Sequence, residues 1–269
     1  MKDQNNREYI KDYSYNAVQQ PEAVVLLVHG LGEHAGRYTG WAKQFNDSGV
    51  EMKSFDLPGH GLSGGRRGVV PPFDVLYDII DSKLESIAAE RPGIPLFLYG
   101  HSLGGGIVLD YLVRRKPSLT GAIVTSPWIT LTMTPPRLKV MMAVALKSIV
   151  PDMTSSSGLN AGYLSRDSKV VSAYVADPLV HDRISFRLFT EALKASEEIL
   201  AGASGISLPV LVIHGRSDMI TSPSGSVEVA SSMPSSILKL WDDGYHELHN
   251  EPFRDDHFTF IREWIDTLI

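Results

Sequence analysis

The chain has 269 residues, 43% of them hydrophobic and 21% charged, the balance of a soluble globular enzyme and not of a disordered chain. A formal net charge of -6 with no long Lys/Arg run argues against a nucleic-acid partner, because affinity for a phosphate backbone needs clustered cations. Cysteine is absent, which removes disulfides, thiolate zinc sites and cysteine nucleophiles together.

Residues 1–16 are polar and lack the apolar core of a signal peptide. No later segment reaches the roughly 18 apolar residues that a membrane span needs. The expectation is a soluble, cytoplasmic protein. Thereafter short apolar runs alternate with longer amphipathic stretches, as in a parallel sheet covered by helices on both faces. Strands are expected at 23–28, 51–55, 94–99, 122–125, 210–213 and 237–241. Several are near-continuous Val/Ile/Leu runs, as strands buried on both faces require. Phe73, Leu76, Ile80, Leu84 and Ile87 recur at helical spacing, and further helices are expected at 105–115 and 253–268.

After the first strand comes His29-Gly30-Leu31-Gly32-Glu33-His34. A His-Gly pair there supplies one half of an oxyanion hole, through the Leu31 N–H. Gly100-His101-Ser102-Leu103-Gly104 fits G-x-S-x-G, with a buried strand before it and a helix after it. Such a sharp turn exposes the serine hydroxyl and adds the Leu103 N–H as a second donor at the positive end of the helix. Gly61-Leu62-Ser63-Gly64-Gly65 satisfies the same pattern, but turn-forming residues flank it on both sides, so Ser63 is expected to be a loop residue.

Residues 127–186 break the alternation. Pro127, Pro135, Pro136, Pro151 and Pro178 punctuate a polar stretch holding one apolar helical segment at 138–150. This reads as a cap inserted in a single domain spanning 1–269, since about 60 residues bury little core alone. Beyond it, Asp218 lies on the loop after strand 210–213. His246 lies on the loop after strand 237–241, with His249 in reserve. The chain order Ser102, Asp218, His246 is that of an α/β-hydrolase triad. Asp242 and Asp243 read as a turn, His214 as a packed residue at a strand end and His257 as a surface residue.

With these positions assigned, the chain resembles the monoacylglycerol lipase family, which includes monoglyceride lipases and related lysophospholipases. The resemblance is carried by residues 29–38, 56–63 and 100–105, by Tyr174-Val175-Ala176-Asp177-Pro178 and by Tyr245-His246-Glu247-Leu248-His249. It implies the α/β-hydrolase fold, hydrolysis of small lipid esters without metal or cofactor, and head-group contacts from Glu33, Arg37, His101, Tyr174 and His249. A structural ion pair is the competing reading for Glu33 and Arg37. The apolar face of Leu138, Met141, Met142, Ala145, Leu146 and Ile149 suits an acyl tunnel or transient contact with a lipid surface, or simple packing on the body. A lysophospholipase, a general carboxylesterase or a peptidase would use the same machinery. A non-catalytic ligand-binding protein would show a broken triad or oxyanion loop.

Overall fold

The structure, a computed structural model, describes residues 9–15 and 18–269, so most of the polar lead at 1–16 lies outside the described residues. The strands are Asp12–Ser14 (β1), Ala23–Val28 (β2), Val50–Phe55 (β3), Leu96–His101 (β4), Gly121–Thr125 (β5), Thr154–Ser156 (β6), Arg183–Ser185 (β7), Val210–Gly215 (β8) and Ser236–Trp241 (β9). The α-helices are Thr39–Asp47 (α1), Phe73–Glu90 (α2), Leu103–Arg115 (α3), Arg137–Leu146 (α4), Ser168–Ala176 (α5), Phe186–Gly202 (α6), Pro223–Ser232 (α7) and Arg254–Asp266 (α8). Among the described residues, seven strands form one sheet in the order β1-β3-β2-β4-β5-β8-β9. Only β1 is antiparallel to its neighbour.

Alternation along β2 divides the core in two, because successive side chains in a strand point to opposite faces. Val24, Leu26 and Val28 face the layer of α2, α3, α6 and α7, where Leu76, Ile80, Ile107 and Ile199 are buried. Ala23, Val25 and Leu27 face α1 and α8, where Phe45, Ile261 and Ile265 are buried. This two-sided burial is the mostly parallel, helix-covered sheet of an α/β hydrolase.

Each strand expected from the sequence is present, though β4 starts two residues later than 94 and runs on to His101. Strand β1, three residues long, is too short for a periodic signal and is held at the sheet edge by Tyr13 opposite Ser54. Between β5 and α6 the chain forms α4, the small antiparallel pair β6–β7, and α5. Helix α4 starts after Pro136 and ends at Leu146, with turns carrying the chain on to Val150. Pro151 blocks its continuation. No described helix is long and apolar enough to cross a membrane.

Candidate active site

Ser102 sits where β4 turns into α3, with φ 55° and ψ −119°. That region is sparsely populated for residues with a side chain, so the surroundings must enforce it. Glycines allow the turn. A Cβ at Gly100 would lie 2.4 Å from the Gly104 carbonyl oxygen, and one at Gly104 would lie 2.1 Å from that of Val28. The Ser102 N–H donates to the Thr125 carbonyl at 3.0 Å, tying the turn to β5. Ser63 is placed quite differently. Its hydroxyl donates to the Asp56 carbonyl at 2.6 Å and accepts from the Lys11 N–H at 2.9 Å, so it braces a loop.

The loops after β8 and β9 bring Asp218 and His246 to Ser102. His246 Nε2 lies 2.8 Å from Ser102 Oγ, and its Nδ1 lies 2.7 Å from Asp218 Oδ2. A carboxylate can only accept here, so Nδ1 carries the proton and Nε2 offers its lone pair to the serine hydroxyl. Asp218 is itself over-determined. Its Oδ1 accepts from the N–H groups of Ile220 (2.7 Å) and Thr221 (3.0 Å), and its Oδ2 also accepts from Thr221 Oγ1 at 3.0 Å and His214 Nε2 at 3.1 Å. Burial pushes the Asp218 carboxyl up, but the His246 and His214 imidazoles outweigh it and hold it well below the usual carboxylate range. Burial likewise pulls the His246 imidazole down, and Asp218 overrides it, leaving this group above its ordinary value. Asp242 pairs with Arg216 at the surface and Asp243 turns the chain at φ 57°, so neither rival acid enters the site.

The loop after β2 lies against the same serine. A Cβ on Gly30 would be 3.1 Å from Ser102 Cβ. The Gly30 N–H is already taken by Glu33 Oε1 at 2.7 Å, which leaves Leu31 as the next donor along the loop. Leu103 opens α3, and its N–H is one of the first-turn donors that have no acceptor within a helix. Gly32, at φ +75°, accepts from the His181 N–H at 2.9 Å, so the segment between β5 and α6 is tied directly to this loop.

The five residues expected at a head group do not form one surface. Arg37 makes a bidentate pair with Glu247 (2.7 and 2.8 Å) and bonds Glu33 at 2.6 Å. Its guanidinium also stacks over the Tyr174 ring, 4.7 Å from the centroid. The structural ion pair is thus present, and it is buried. Glu33, His101 and Tyr174 border a space of about 10 Å³ beside Ser102 and His246, enough for a single water. Arg37 and His249 do not line it. The His249 ring is buried instead against Tyr38, with centroids 4.7 Å apart, and desolvation first, then the nearby His101, lowers its pKa to about 3. Such a neutral, enclosed ring is poorly placed as a reserve base. The expected surface position of His257 is also overturned. Its ring stacks on Trp41 at 5.3 Å inside the α1–α8 layer, because α8 turns that face to the sheet.

A much larger cavity of about 770 Å³ also borders Ser102. Leu31, Trp128, Leu131, Met142, Phe186 and Phe189 belong to its mainly apolar wall, and Ser155, Ser156, Ser157 and Asn160 to a polar lip. Sequence reasoning missed two contributors to the site. Glu247, next to the expected base, is the bidentate anchor of Arg37, and Thr221 hydrogen-bonds the carboxylate of Asp218. A Glu beside a His, and a Thr three residues past an Asp, carry no distinguishing pattern.

A parallel sheet with a serine at a strand–helix elbow defines a hydrolase of the α/β class. A family model described as serine aminopeptidase, S33, matches residues 19–253. A monoacylglycerol lipase of Mycolicibacterium smegmatis is 30% identical, over 91% of this chain and 88% of its own length. The crystal structure of Paleococcus ferrophilus monoacylglycerol lipase superposes with a TM-score of 0.88 at 34% identity, covering 97% of this chain and 99% of the other. An uncharacterised abhydrolase domain-containing protein of Dictyostelium discoideum is 36% identical over 97% of this chain, which spans 28% of that longer protein. The chain belongs to this family of monoglyceride lipase-like serine hydrolases, and it is a carboxylic ester hydrolase.

Proposed function

We propose that the chain hydrolyses monoacylglycerols to fatty acid and glycerol through an acyl-enzyme on Ser102. The observation that carries this reading is the unbroken line from Asp218 to His246 to Ser102 at the end of a large apolar cavity. His246 takes the Ser102 proton as Oγ attacks the ester carbonyl. The N–H groups of Leu31 and Leu103 stabilise the oxyanion, and removing one such donor typically costs about 10²–10³-fold in rate. Collapse of the tetrahedral intermediate breaks the ester C–O bond, and His246-H⁺ protonates the departing alcohol. A water, deprotonated by His246, then attacks the acyl-serine. The fatty acid leaves as Ser102 regains its proton.

Charge distribution favours an uncharged alcohol as the leaving group. No Lys or Arg lines either cavity among the described residues, and the carboxylates that line the smaller one are those of Glu33 and Glu247. A phosphate head group would meet like charge there. An aminopeptidase substrate would need a free carboxylate for its ammonium group, and both of these are committed to Arg37. Seating glycerol beside Ser102 requires the water-sized space to widen. The apolar face of α4, where Leu138 is 69% and Met141 68% exposed, is where the protein would touch a lipid surface. Loss of about 10⁴–10⁶-fold in monoacylglycerol turnover is expected for Ser102→Ala, with loss of fluorophosphonate labelling. Turnover by that variant near the wild-type rate, or preference for lysophosphatidylcholine or an aminoacyl arylamide, would overturn the reading.

A further inference from the structure

Asp218 stands between two imidazoles, and the mechanism uses only one of them. His214, at the end of β8, is fully buried, and its Nε2 lies 3.1 Å from Asp218 Oδ2 and 3.1 Å from the Thr221 carbonyl oxygen. Both neighbours are acceptors, so Nε2 must carry a proton. Nδ1 lies 2.7 Å from Ser226 Oγ, a buried hydroxyl on α7, and in the neutral ring it accepts that O–H. A continuous chain therefore runs from Ser226 through His214, Asp218 and His246 to Ser102. It is nearly symmetric about one carboxylate oxygen, with an imidazole and then a serine on each side.

We propose that His214 is a positioning residue that sets the basicity of His246 by donating to the same oxygen of Asp218. The physical reason is competition. A second charge-assisted donor draws on the lone pairs of Oδ2 and reduces the negative charge available to the imidazolium of His246. His214 also holds Oδ2 in place, together with the Thr221 hydroxyl. The other groups facing His246 come from every side. His101 on β4 lies 4.9 Å away between ring centroids, Glu33 acts from the loop after β2, and Glu247 from its own loop. None of these touches His214, so its contribution is separable. The Ser226 hydroxyl fixes the tautomer of His214 and so keeps its donor aimed at Asp218.

The inference rests on the proposed role of the Ser102 triad, so the test carries Ser102→Ala beside the other variants in one ester-hydrolysis assay across pH. For His214→Leu, kcat is expected to fall about tenfold with KM unchanged, the scale of one hydrogen bond to a charged group shared between two acceptors. The acid limb of kcat/KM should move to higher pH, because Asp218 then pulls harder on the His246 proton. His214→Gln, whose amide can donate to Asp218 and accept from Ser226, should restore both the rate and the limb. Ser226→Ala should move the limb in the same direction by less, and add nothing in the His214→Leu background. A limb unmoved in His214→Leu, or not restored by Gln, would leave His214 a packing residue and overturn the proposal. Turnover by Ser102→Ala would instead remove the triad reading beneath it.

Discussion

Arg37 offers a quantitative test of how the site is held. Its side chain is 9% exposed and serves two carboxylates, Glu33 and Glu247, that are 4% and 2% exposed. Arg37→Met keeps the volume roughly constant but strands both acids. Removing one partner of a buried pair costs about 3–5 kcal/mol, and with two carboxylates sharing one cation the upper end applies. For a chain of this size that corresponds to a Tm lowered by about 10–20 °C. The loss should depend on pH with a definite sign. Burial pushes the Glu247 carboxyl up, but Arg37 brings it well below the ordinary range, so in the wild type it contributes stability present above about pH 4.3 and lost as pH falls through the depressed value. The gap between wild type and Arg37→Met is therefore widest above about pH 5 and narrows in acid. Urea unfolding at a series of pH values measures it, reading the midpoint at constant m. Arg37→Lys should recover part of the stability, since it keeps the charge but not the two-pronged fit to Glu247. A Met variant within about 1 kcal/mol of wild type at neutral pH, or a gap that ignores pH, would refute the reasoning.

Three further outcomes are expected. Ser102→Gly should be inactive yet more stable than Ser102→Ala by about 1 kcal/mol, because only glycine relaxes at this positive φ; equal thermal midpoints would mean the turn is unstrained. Hydrolysis should fade on acidification through a group titrating above the ordinary histidine value of 6.5, since His246 must be neutral to act and Asp218 raises it; a limb well below that value would contradict the geometry. Met141→Glu combined with Ile149→Glu, at side chains 68% and 76% exposed, should leave turnover of a soluble short-chain ester unchanged while reducing hydrolysis of vesicle-borne substrate several-fold. Equal losses on both substrates would place those residues in packing instead.

Six of the seven strands of the central sheet were legible, several of them as near-continuous runs of Val, Ile or Leu with no helical period, and the nucleophile because only Ser102 combines its motif with a strand and a helix. Asp218 and His246 followed from chain order. What stayed hidden was whatever depends on long-range packing. His257 looked like a surface residue because it lies among Arg254, Asp255 and Asp256, yet the helix phase turns its ring to Trp41. Arg37 and Glu247 are 210 positions apart, and no local pattern announces their pairing. His214 was visible as a strand-end residue, but its contact with Asp218 depends on the curl of the loop between them. The small strands β6 and β7, three residues each between β5 and α6, carry too few residues for any alternation to show.

The bond from the His181 N–H to the Gly32 carbonyl has a mechanical consequence. Gly32 is the neighbour of Leu31, so the N–H proposed to meet the developing negative charge lies one residue from a direct tie to the segment between β5 and α6. A Cβ at Gly32 would sit 2.3 Å from the His181 carbonyl oxygen, so no other residue permits so close a coupling. A displacement of residue 181 is therefore carried straight to the loop after β2 that borders Ser102.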